Sequence, residues 1–115
     1  MDATERSGVI SFAQAQAQIS RSGGEHAVLV LRRGTLDLKL SLPVAPNRQT
    51  PHTQDELYVV IRGRGILVHD GARSPFEAGD VLFVAAGCAH HYEDFGPDLA
   101  LWRVFYGADG GEVPQ

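Results

Sequence analysis

A chain of 115 residues holds material for one compact domain and not two. Its hydrophobic fraction of 43% is that of an ordinary folded protein, and its formal net charge is -4. The ten basic residues, densest at Arg32-Arg33 and at Arg62 and Arg64, form no patch, which argues against nucleic acid as a partner. The single cysteine, Cys88, excludes an internal disulfide. No stretch is apolar enough to span a bilayer and no basic start precedes a long apolar run, so no membrane role is expected and the expected location is the cytoplasm.

In chain order, Met1 to Gly8 is polar and expected to be loose. Ser11 to Arg21, "SFAQAQAQISR", alternates as a strand would. Its Ala/Gln content and the capping-box spacing of Ser11 and Gln14 favour a short helix instead, ended by Ser22-Gly23-Gly24. From His26 the pattern changes to short β-branched and apolar runs. In "TLDLKLSL" the leucines 36, 38, 40 and 42 alternate with polar residues, the period of a half-buried strand. "PVAPNRQTP" is a loop broken by three prolines. "ELYVVIR" and "GILVH" are strands, and Asp70-Gly71 signals a hairpin turn. "SPFEAGD" reads as a bend, and "VLFVAA", "HHYEDF" and "DLALWRVFY" as strands. The glycine-rich end, "GADGGEVPQ", is expected to fray.

About eight short strands at regular spacing mark a sandwich or barrel, which must close to protect its edges. We therefore expect an all-β single domain: 1-24 an N-terminal segment with a short helix, 25-106 a β-barrel, 107-115 a flexible tail.

Two stretches carry chemistry. In "TPHTQDELYVVIRGRG", Thr50, His52, Gln54 and Glu56 stand two apart, so in extended chain they point the same way. Facing inward, they put an imidazole and a carboxylate into one cavity. Tyr58 and Val60 share that face and would form its apolar wall. In "GDVLFVAAGCAHHYED", His90 and His91 are adjacent and face opposite sides, so only one of them can join His52 and Glu56. Tyr92 shares the face of His90. Glu56 could instead pair with Arg62 or Arg64, and each histidine could be a satisfied core residue. Cys88 reads as a small buried thiol.

These stretches resemble the two motifs of the cupin superfamily. His52, Glu56 and Gly63 match the first, and Gly79, Gly87 and His90 match the second. The chain departs from the family at three positions. Thr50 stands where the first motif has a histidine, Ala85 where the second has a proline, and Asp94 where it has an asparagine.

The resemblance implies a jelly-roll barrel holding one divalent transition metal (iron, manganese, nickel or zinc) through His52, Glu56 and His90. Two imidazoles and a carboxylate suit such an ion and leave coordination positions open. Thr50 could hold a water, and Gln54 could reach the metal or a bound ligand. The expected function is that of a mononuclear metal enzyme, oxygenase-like or isomerase-like, acting on a small organic molecule. The alternative is a ligand-binding or sensing module with a partial metal site. Tyr92, Gln54 and Cys88 are the candidates for a catalytic acid or base. A homodimer is expected by analogy with the family.

Overall fold

The computed structural model describes residues 7–22, 26–47 and 49–113. One helix, α1 (Phe12–Ser22), precedes eight strands: β1 (Ala27–Arg33), β2 (Leu36–Ser41), β3 (Asp55–Arg62), β4 (Arg64–His69), β5 (Ala72–Glu77), β6 (Val81–Val84), β7 (His90–Glu93) and β8 (Ala100–Tyr106). The strands form two antiparallel sheets, β1-β2-β8-β3-β6 and β5-β4-β7. This is the all-β barrel architecture expected from the strand count.

The helix forms as its composition and cap suggest. Ser11 Oγ accepts a bond from the Gln14 backbone N–H at 3.2 Å, satisfying one of the donors a helix start leaves free. Much of the expectation for Met1 to Gly8, and the glycines after Ser22, lie outside the described residues.

One core lies between the two sheets. Tyr58 and Val60 of β3, Leu82 and Val84 of β6, Leu67 of β4, Phe76 of β5 and Tyr92 of β7 meet there with Leu99 and Leu101. A second cluster lies on the outer face of the larger sheet, where Ala15 and Ile19 of α1 cover Leu40, with Phe12 and Trp102 alongside. The alternating leucines of β2 thus face the helix, not the barrel interior. The interior receives their polar alternates. Lys39 Nζ sits 5.7 Å from the centroid of the Phe105 ring, and Lys39 pairs directly with Arg103 across β2 and β8.

Two expectations are corrected. The segment read as a bend, "SPFEAGD", contributes most of β5, which pairs with β4 from His69↔Ala72 to Arg64↔Glu77. Pro75 obscured it, and a proline is tolerated here because β5 is an edge strand. The turn at Asp70-Gly71 is where the sequence placed it, with both residues at positive φ. The glycine-rich end is not frayed along its described length. Gly107 N donates to Thr35 Oγ1 at 3.1 Å, Gly110 N to the Thr53 carbonyl at 2.6 Å and Glu112 N to Asp55 Oδ2 at 2.9 Å.

Candidate metal centre

His52, Glu56 and His90 converge. Each offers a ligand atom within 4.8 Å of the others, near the span that a single ion bridges with bonds of about 2.0–2.2 Å. Glu56 is on the first turn of pleat in β3, and His90 opens β7 in the opposing sheet. His52 precedes β3 in a bent segment. That segment is fixed by the Gly87 N–H bonding to the His52 carbonyl at 2.7 Å. The same bond ties the loop before His90 to the loop before Glu56.

The ring of His90 is oriented by its own loop. Nδ1 lies 2.9 Å from the Cys88 carbonyl. A carbonyl only accepts, so Nδ1 carries the proton and Nε2 is turned to the site. This is the arrangement that sets the tautomer of a ligating histidine. Nε2 lies 3.1 Å from Glu56 Oε2 and 2.9 Å from the Tyr58 hydroxyl. Tyr58 donates to Glu56 Oε2 at 2.5 Å.

The other carboxylate oxygen carries the test of fit. Glu56 Oε1 contacts His52 Nδ1, yet both are buried atoms without a hydrogen bond. Burial holds His52 below the usual imidazole range, against the pull of the Glu56 charge. In the tautomer that leaves Nδ1 bare, two electron-rich atoms face each other, an arrangement that a cation relieves. The donor set of two nitrogens and one carboxylate fits a divalent transition ion.

The remaining titrations describe the proton-bound cluster, in which His90 as imidazolium donates from Nε2 to Glu56. Burial would raise the Glu56 pKa, but hydrogen bonds from His90 and Tyr58 and the nearby imidazole charge hold it below the ordinary value. Burial would lower that of His90, but its bonds to Glu56 and to the Cys88 carbonyl raise it. The Tyr58 hydroxyl is pushed well above the ordinary phenol range, chiefly by burial.

The remaining candidates fall elsewhere. Gln54 turns away from the triad, because its amide Nε2 donates to the Thr35 carbonyl at 2.8 Å and the Gly107 carbonyl at 2.9 Å. The alternation that placed it with His52 and Glu56 fails because regular strand begins only at Asp55. Thr50 is exposed. Val60 and Tyr92 are buried in the core between the sheets. Tyr92 stacks edge-on against Tyr58 with ring centroids 5.8 Å apart. Cys88 is half-buried and donates to Asp70 Oδ1 at 3.1 Å, and burial raises its pKa, so it is no ready thiolate.

Sequence reasoning missed three groups. Tyr58 was read as apolar wall, yet its hydroxyl joins Glu56 to His90. Gln49 Oε1 lies 3.4 Å from both the Tyr58 hydroxyl and Arg103 Nη2. The Arg103 guanidinium lies 5.1 Å from the centroid of Phe105, whose ring stacks on His52 at 4.6 Å. The one available signal was a cation alternating with Leu101 and Phe105 in an apolar strand.

Comparison with known proteins places this geometry. The chain is 37% identical over 57 residues to an uncharacterised protein of Streptomyces coelicolor, a match that covers 50% of this chain and 54% of that relative, about half its length. Among solved structures, KdgF from Halomonas sp. superposes with a TM-score of 0.61 at 17% identity, over 69% of this chain and 74% of that one. A Cupin 2 conserved barrel domain protein from Salinispora arenicola gives 0.54 at 23%, over 71% and 75%. The DMSP lyase DddQ from Ruegeria pomeroyi gives 0.57 at 16%, over 65% and 40%. The family model described as "Cupin domain" matches residues 42–102, a segment that contains all three converging side chains. With that match over more than half its length, a barrel of two antiparallel sheets and a His-Glu-His group between them, the chain belongs to the cupin family.

Proposed function

We propose that the barrel holds one divalent transition metal through His52, Glu56 and His90 and acts on a small organic molecule in an oxygenase-like or isomerase-like reaction. The observation that carries this reading is the buried contact of Glu56 Oε1 with His52 Nδ1, neither atom hydrogen-bonded. A bound ion supplies Lewis acidity or, if iron, a redox centre. The protein's own part is positional. The Cys88 carbonyl holds the His90 ring, and the Tyr58 hydroxyl fixes Glu56 Oε2. With its pKa raised by burial, Tyr58 keeps its proton and acts as a hydrogen-bond donor rather than a base. Phe105 and Tyr92 wall the site with ring surface.

One observation favours a second reading, a ligand-binding or sensing module without turnover. The position of the family's first motif histidine is Thr50, and it is exposed. Metal analysis of the purified protein, followed by anaerobic iron loading and oxygen-uptake measurements with catechols, thiols and keto acids, separates the two. Substrate-dependent uptake that His52→Ala abolishes supports the enzyme. Ligand binding without product supports the module. A protein that takes up none of iron, manganese, nickel or zinc refutes the metal site itself. We further propose that the chain pairs with a second copy of itself.

A further inference from the structure

We propose that the ligand of this site is a small carboxylic acid, bound with its carboxylate on Arg103 and Tyr92; this rests on the metal-site reading above. Arg103 and Tyr92 line a pocket of about 300 Å³ together with Gln49 and Ser41. Arg103 Nε is a buried donor without a hydrogen bond, and the Tyr92 hydroxyl, though close to Gln49 and Tyr58, meets neither with good hydrogen-bond geometry. Tyr92 itself is 2% exposed. Buried donors left unpaired are costly, so two in one pocket mark a place for an acceptor.

Charge points the same way. No ion pair among the described residues includes Arg103. Its neighbours are the Tyr58 and Phe105 rings and the neutral amide of Gln49. Lys39, its cross-strand partner, lies over the Phe105 ring and interacts with the Asp37 carboxylate two residues away on the same strand. Two imidazoles, one carboxylate and a divalent ion sum to a net positive centre. The Arg103 guanidinium beside it favours an anionic ligand.

The donor geometry suits an oxyanion. A guanidinium edge presents parallel N–H groups that match the two oxygens of a carboxylate. Gln49 Oε1 accepts from Nη2 and so steers that edge. The Gln49 and Tyr58 side chains stand between this pocket and the metal site: Gln49 Oε1 lies 3.4 Å from the Tyr58 hydroxyl, which reaches Glu56 and His90. An acid held at Arg103 therefore lies beside the triad and is joined to it through Gln49 and Tyr58.

The test titrates the Mn(II)-loaded protein with succinate, uncharged succinamide and inorganic phosphate by calorimetry, in wild type, Arg103→Gln and Arg103→Lys. Succinate should bind wild type and bind Arg103→Gln at least about tenfold more weakly, with Arg103→Lys in between. Mn(II) itself should bind Arg103→Gln as tightly as wild type or more tightly, since a like charge has been removed. Loss of the fold would weaken both ligands, so succinate affinity that falls while Mn(II) affinity holds or rises identifies a direct role. Equal succinate affinity in Arg103→Gln, no succinate binding to wild type, or equal binding of succinamide or phosphate overturns the proposal. If Mn(II) fails to bind wild type, the metal reading is what fails. The same titration on metal-free protein then decides the subsite: Arg103-dependent succinate binding sustains it, and none overturns it.

Discussion

Glu56 is a carboxylate only 1% exposed, set between two imidazoles and a phenol. Glutamine at this position keeps the shape and removes the charge. We expect Glu56→Gln to lower Mn(II) or Zn(II) affinity by more than the roughly 10- to 100-fold that outer contacts command. Calorimetry, with circular dichroism as a check on folding, measures it; unchanged affinity would place the ion elsewhere. Tyr58→Phe removes only the hydroxyl that fixes Glu56 Oε2, and should cost about tenfold. The triad was legible because its members sit at fixed offsets within two short motifs, where chemistry and spacing coincide. Tyr58 was half legible: alternation gave its face, but an aromatic on an inward face is ordinarily core, and only the opposing His90 makes its hydroxyl part of the site. Gln49 and Arg103 were not legible. Their roles arise from the register of β3 with β8, which pairs Tyr58 with Arg103, and register between distant strands is not written in any local pattern.

Between β3 and β4 the chain turns from one sheet to the other at Gly63, where φ is +85° and an added Cβ would lie 2.9 Å from Leu99 Cα. Neither the backbone conformation nor the space admits a side chain, and Leu99 is fully buried. Gly63→Ala should cost at least about 1–3 kcal/mol, read as a lower urea midpoint at unchanged slope. A second stitch joins elements that are remote in sequence. The Asp55 carboxylate accepts the backbone N–H groups of Ala86 and Glu112, each at 2.9 Å. These bonds hold its pKa below the ordinary value. Asp55→Asn can accept only one of them well, so its melting temperature should fall by several degrees while the β-sheet signal persists. An unchanged melting curve would show the stitch to be idle. Strands with clear alternation were read correctly, the helix was read from its composition and cap against its alternation, and the Asp70-Gly71 hairpin from its turn residues. β5 escaped because its proline is a strand breaker everywhere except at an edge, and edge position is a tertiary fact. The pinned tail escaped for a like reason, since glycine-rich sequence reports freedom of the backbone and not the acceptors waiting for it.

At the scale of the whole molecule the larger sheet is covered on one half of its outer face and bare on the other. Helix α1 lies over the β1-β2-β8 side, with Phe12 edge-on to Trp102 at 6.4 Å. Toward the β6 edge nothing among the described residues covers Val59, Val81 and Phe83, which are 38%, 62% and 53% exposed. Cross-strand register sets them side by side, Val59 opposite Val81 and Leu57 opposite Phe83. Their alternates Tyr58, Leu82 and Val84 fill the core, so the outward residues could have been polar at no cost to the barrel. An apolar row on an edge strand invites pairing, and a two-fold axis brings the same row from both copies into contact. A dimer through this face leaves His52, Glu56 and His90, on the opposite side of the sheet, untouched. Phe83→Lys should therefore convert a homodimer into a monomer in multi-angle light scattering while Mn(II) affinity holds. A wild-type monomer at micromolar concentration, or a Phe83→Lys protein that still pairs, would remove this face as the interface.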